Sequence, residues 1–216
     1  MRKVLLATVI ILILFSIINR SKSLFDIVST GTSKKVQKAI KEGANVNDTS
    51  SYGWTPMMIA ASHNPNPEVI TVLAEAGANV NDRDSDGSTP LMEAIFCNRN
   101  PEVVTALIKA GANVNDRDSA GQTPLMHAVE YEDLDKVTTL INGGANVNDQ
   151  NHNGLTPLMI AAMNNLEPEV ITILLKSGAN GTQKSNEGKT AFDYAKDNES
   201  IKGTNAYWEL NDAQYK

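Results

Sequence analysis

The chain has 216 residues, a formal charge of −6 and one cysteine, Cys97. A lone cysteine excludes an intrachain disulfide, and an acidic chain repels phosphate backbones, which argues against a nucleic-acid partner. The first 23 residues differ in kind from the rest. Arg2 and Lys3 precede an uncharged, mostly apolar run at residues 4–18, and Arg20 and Lys22 follow it. As a helix that run spans about 22 Å, short of a hydrocarbon layer of about 30 Å. A basic start before a short apolar run marks a secretory signal peptide, with Ser21 and Ser23 as the small residues if cleavage falls before Leu24. The expectation is an exported chain, periplasmic or secreted. Left uncleaved, residues 4–18 would be a short membrane anchor. No cysteine follows the run, which excludes lipoprotein attachment. Removing residues 1–23 takes away four basic groups and no acidic ones, so the remainder is more acidic still.

From Leu24 onward the chain repeats itself. Gly53-Trp54-Thr55-Pro56-Met57-Met58 returns at Gly87, Gly121 and Gly154, at intervals of 34, 34 and 33 residues. A weaker copy, Gly188-Lys189-Thr190-Ala191-Phe192, follows, and Gly-Ala-Asn keeps the same beat at Gly43, Gly77, Gly111, Gly144 and Gly178. A fixed period of this length means a stacked array with an extended surface. Within a unit, threonine before proline starts a helix, because the hydroxyl caps free amides and proline suits the first turn. Residues 56–61 form that first helix. Asn66 caps and Pro67 opens a second, in which Val69, Ile70, Leu73 and Ala74 make one apolar stripe. Asn100-Pro101 repeats the device, and at Pro168 only the proline remains. Gly77 supplies a left-handed stop. Asn79-Val80-Asn81 reads as a short extended stretch before a polar turn ending at Gly87. No unit holds enough apolar surface for a core of its own, so neighbours must stack.

These phrases resemble the ankyrin repeat: its Thr-Pro-Leu-His-x-Ala appears as Thr-Pro-Leu-Met-x-Ala, and its Gly-Ala-Asp-Val-Asn as Gly-Ala-Asn-Val-Asn. The methionine removes a side-chain hydrogen bond typical of the family. The resemblance implies an all-α ankyrin-repeat solenoid of helix–turn–helix units joined by β-turns or hairpins, with a period of 33–34. Residues 24–50 would form an amino-terminal cap, 51–184 the internal repeats and 185–216 a carboxy-terminal cap. Ala206-Tyr207-Trp208-Glu209-Leu210 would pack back over the last repeat. The family's usual mode implies a non-catalytic module that binds another protein through its turn tips and the exposed face of its first helices, with no cofactor and no small-molecule substrate. By position, the residues that meet the partner are Tyr52, Trp54, His63, Asp86, Phe96, Tyr131, His152 and Met163. Most are large or aromatic where the scaffold does not require it, the property that makes a binding anchor. Arg83 and Arg117 would be solvated tips.

Other chemistry is thinner. Asp82, Asp84, Asp86, Gly87 and Glu93 match a calcium-loop spacing, but the same residues are the turn of the array, and Thr89-Pro90 starts a helix inside the would-be loop. A solvated turn without metal is therefore expected. His63, His127 and His152 fall at different repeat positions and make no ligand cluster. Glu93 and His127 share one repeat position, where other units carry Ile59 and Ile160. Across one helix spacing of ~8–10 Å they are expected to meet, as a local polar pair or, less simply, as an acid/base site. No Ser/His/Asp set, phosphate loop or zinc spacing is present. Sequons at Asn47, Asn180 and Asn198 would matter only in a eukaryotic secretory pathway.

Overall fold

The computed structural model describes residues 23–131, 133–164 and 168–215; the expected leader, residues 1–23, lies outside them except for Ser23. The described residues hold twelve helices and no strand. The pairs are α1 (Leu24–Thr30) with α2 (Ser33–Lys41), α3 (Pro56–His63) with α4 (Pro67–Glu75), and α5 (Pro90–Cys97) with α6 (Pro101–Lys109). Next come α7 (Pro124–Glu130) with α8 (Leu134–Asn142), α9 (Pro157–Met163) with α10 (Pro168–Lys176), and α11 (Ala191–Ala195) with α12 (Asn205–Ala213). First helices stack on first helices and second on second, which makes a two-row solenoid. None of the described helices is long and apolar enough to cross a membrane.

The starts follow the expected chemistry. Thr55, Thr89, Thr123 and Thr156 cap the Met58, Met92, Met126 and Met159 amides, with proline in the first turn each time. Asn66 and Asn100 cap the Glu68 and Glu102 amides. Gly77 ends its unit's second helix at φ +87°, a region that a side chain would make costly. Met57, Met58, Leu91, Met92, Leu125 and Met126 are fully buried between neighbours. Each contributes about 1.5–3 kcal/mol, so the stability of a unit lies in its interfaces.

The stretch expected to be extended is a turn. Asn79 Oδ1 accepts the Asn81 amide at 3.0 Å, and its Nδ2 donates to Asp82 at 2.6 Å, so local side-chain bonds replace extended backbone. Asn81 then reaches the next unit, donating to Gly111 O at 3.1 Å and accepting the Asn113 amide at 2.9 Å. Asn47, Asn115 and Asn148 make the same two bonds one unit along. The Asn-Val-Asn phrase is therefore a clasp between repeats. Asn198 is buried and donates to Ala162 O and Asn164 O, and Asn47 is likewise engaged, so these sequons are structural contacts.

Turn tips stack through one backbone bond per unit: Ser85 N to Tyr52 O, Ser119 N to Asp86 O, His152 N to Ala120 O and Asn186 N to Asn153 O. Arg83 and Arg117 are exposed, as expected of turn tips, but each is also tied to the next unit. Arg83 bonds Gly87 O and Arg117 O and pairs with Asp116 at 2.9 Å; Arg117 bonds Gly121 O and Gln150 O and pairs with Asp149 at 3.0 Å. The forked guanidinium suits this stapling because it holds two carbonyls and a carboxylate at once.

At the carboxy-terminal end, α12 lies against α10 and α11. Ala206 and Leu210 are buried, Tyr207 packs on Phe192 with ring centroids 5.0 Å apart, and Thr172 Oγ1 donates to Glu209 at 2.7 Å. Trp208 departs from the expectation that the whole segment packs down: it is 57% exposed and rests edge-on against Tyr207. Gly181 stands where other units carry Val46, Val80, Val114 and Val147, and a Cβ there would meet Ala213 Cβ at 2.6 Å. The glycine is the space that α12 occupies.

Candidate functional site

The turn tips and first helices together form one wall of the solenoid. On the helices, one repeat position carries Ile59, Glu93, His127 and Ile160; a turn later come Ser62, Phe96, Glu130 and Met163, and then His63, Cys97, Tyr131 and Asn164. The tips add Tyr52, Asp86, Ala120 and Asn153, then Trp54, Ser88, Gln122 and Leu155. These positions vary between units while the capping threonines and clasping asparagines do not.

The centre of the wall is the best-built part. His127 is buried, and its Nε2 lies 2.9 Å from Asp118 Oδ2; Asp118 Oδ1 accepts the Ala120 and Gln122 amides at 2.9 and 2.8 Å. Phe96 meets the His127 ring edge-on at a centroid distance of 4.6 Å and the Tyr131 ring at 5.7 Å. Tyr131 is 57% exposed, so this ring cluster opens to solvent. The final unit shows the tip-to-helix contact in neutral form, Ser185 Oγ with Tyr194 Oη at 2.9 Å.

One unit earlier the same contact fails. Asp84 Oδ1 accepts the Asp86 and Ser88 amides as Asp118 does its own pair, but the helix now offers Glu93 instead of histidine. Glu93 is 6% exposed, and among the described residues no hydrogen bond or ion pair reaches its carboxylate. Burial pushes its pKa up to about 7, and the charges of Asp84 and Asp86 push the same way. The expected meeting of Glu93 and His127 does not occur. His127 is turned to Asp118 of its own unit, since a hydrogen-bonded carboxylate within the unit outcompetes one across the stack.

The expected partner residues fall into three groups. Phe96 and Tyr131 join the ring cluster, and Asp86 stands at the tip beside Glu93. Met163, 43% exposed, lines a cleft of about 240 Å³ one unit further on, with Gln122, Glu130, Asn153, Leu155 and Ile160. Tyr52 (73% exposed), half-buried Trp54 and exposed His63 belong to the first internal unit, and no ring contact among the described residues ties them to the cluster. His152 is exposed, its ring lying over Gly121, where a Cβ would stand 2.6 Å away. A larger cleft of about 700 Å³ lies on the opposite wall between α4 and α6, lined by Glu68, Thr71, Glu75, Glu102, Thr105 and Lys109 among others, and holds none of these residues.

The calcium spacing is a turn here. Asp82 is bonded to Asn79, Asp84 to backbone amides, and α5 begins at Pro90. Among the described residues no group of three or more His, Cys, Asp or Glu is placed to hold a metal ion. Two features escaped sequence reasoning. Lys136, where other units have Val69, Val103 and Val170, is buried and donates to Ile95 O at 3.0 Å while pairing with Asp133 at 3.1 Å. Asn98 bonds the equivalent carbonyl, Ala61 O, one unit earlier, so the lysine takes over an asparagine's hook. The signal was the lysine's departure from the repeat. The other is exposed Trp208 on the terminal helix, with exposed Tyr215 just beyond that helix's end.

The sequence matches the family model for ankyrin repeats (three copies) over residues 24–118, 86–151 and 125–205. The chain therefore belongs to the ankyrin-repeat family. Its repeats indicate a protein–protein interaction module, a class that is typically non-enzymatic. No curated protein matches the sequence significantly.

Proposed function

We propose that this chain is an exported, non-catalytic binding module that holds a partner protein against the wall of turn tips and first helices. The observation that carries the reading is the set of solvent-facing anchors on that wall, Tyr52, Tyr131 and Met163, at positions where the stack itself needs no large side chain. Exposed aromatic area of this kind is what interfaces bury at low entropic cost. Export to the periplasm or beyond rests on the basic start and apolar run of residues 1–23. A membrane-tethered scaffold is the alternative if that run is retained, and the mass of the mature chain separates the two.

The test is capture of a partner from the native host by the full chain, beside a Trp54→Ala/Tyr131→Ala variant. A partner held by the wild type and lost by a variant with unchanged helical signal supports the assignment. A partner held equally by both removes it from this wall.

A further inference from the structure

Resting on the interaction-module reading, we infer that the centre of the wall is an acceptor for a cationic side chain, an arginine or lysine carried on an exposed segment of the partner protein. Glu93 is the first reason. Its side chain is more than nine-tenths buried, yet its carboxylate has no partner among the described residues and lies close enough to Asp84 and Asp86 to feel their charge. The carboxylate oxygens keep an edge in water, so the charge is incompletely solvated and faces two like charges, and one cation supplied from outside relieves it. The repeat gives an internal control: where the next unit has a base, His127, the tip carboxylate is satisfied at 2.9 Å.

The rings are the second reason. Phe96 lies one helical turn beyond Glu93 on α5, packed edge-on against His127 and Tyr131, and Tyr131 keeps more than half its surface in water. A guanidinium or ammonium drawn to Glu93 has an aromatic surface beside it, the arrangement that strengthens a cation's hold. Charge is the third. Asp86 stands close enough to Glu93 to act on its charge, and Glu130 follows His127 on the same helix; the arginines Arg83 and Arg117 are committed to Asp116 and Asp149. His127 turns Nε2 to Asp118 at 2.9 Å and Nδ1 towards Glu130 at 4.0 Å, which leaves it no nitrogen for Glu93. The patch repels an acidic segment and attracts a basic one.

The experiment uses the full chain and fluorescein-labelled Gly/Ser peptides bearing two arginines, or two glutamates in their place, with anisotropy read at pH 8 and at low and physiological salt. The arginine peptide is expected to bind and the glutamate peptide not to bind. Glu93→Gln and Tyr131→Ala should each weaken binding about tenfold, the scale of losing one partly desolvated ion pair or anchor. Glu75→Gln, on the opposite wall, should leave it unchanged. Equal weakening by Glu75→Gln, no loss in Glu93→Gln, no binding by the arginine peptide, or displacement of the peptide by calcium would each overturn the inference. A natural partner lost in Tyr131→Ala but insensitive to Glu93→Gln would overturn it too, while leaving the binding module standing.

Discussion

Glu93 offers the sharpest energetic test of how this stack is built. Its pKa rises from 4.5 to about 7 in the folded chain, so between those values the folded state keeps a proton that the unfolded state has released. Stability must therefore fall as pH rises from about 4.5 through about 7, and the loss is complete above that window. The full shift corresponds to about 3 kcal/mol at 1.36 kcal/mol per unit; solvent at the carboxylate oxygens reduces this to about 1–2 kcal/mol. Glu93→Ile copies Ile59 and Ile160, which occupy the equivalent position without a charge. The variant should be more stable than the wild type by about 1–2 kcal/mol at pH 8 from relief of the charge, and should gain less at pH 5. Urea unfolding of both proteins at the two pH values measures this directly. A variant no more stable at pH 8, or one whose gain is the same at both, would refute the uncompensated carboxylate.

Three further outcomes follow from the contacts. Lys136→Met keeps the apolar stem and the Asp133 cap but strands Ile95 O and removes Asp133's cation, and should cost about 1–3 kcal/mol in urea unfolding; wild-type stability would show that the hook is dispensable. Gly181→Val restores the repeat consensus, yet the new side chain runs into Ala213. It should destabilise by about 1–3 kcal/mol and change the emission of Trp208 as α12 shifts; a neutral result would mean that α12 does not dock as described. Asn81→Ala removes a clasp of two bonds between units and should lower stability by about 1–2 kcal/mol, whereas Asn45→Ala, which loses bonds within its own unit, should cost less.

Much of the architecture could be read from local chemistry. Thr-Pro, Asn-Pro and the Gly-Ala-Asn phrase specify helix starts, breaks and stops through caps and backbone angles that need no tertiary context. What could not be read depends on the neighbouring unit. Asn79-Val80-Asn81 looks extended by pattern, but Asn79 bends it within its own unit and Asn81 bonds the next repeat. Arg83 and Arg117 look like free charges until the tips stack and bring Asp116 and Asp149 within reach. The variable wall positions were visible as departures from the repeat, which is why Phe96 and Tyr131 could be chosen. Their joining through His127 was not, because that histidine's orientation is set by Asp118, nine residues away on the tip of its own unit. Lys136 was legible only as an oddity, since the carbonyl it serves lies one unit back.

The central claim, that the wall of tips and first helices holds a partner protein, is tested most directly by capture from the native host with the full chain and the Trp54→Ala/Tyr131→Ala variant side by side. A specific partner retained by the wild type and lost by a variant of unchanged helical signal is the expected result. A partner retained equally by both would contradict it and turn attention to the opposite wall between α4 and α6.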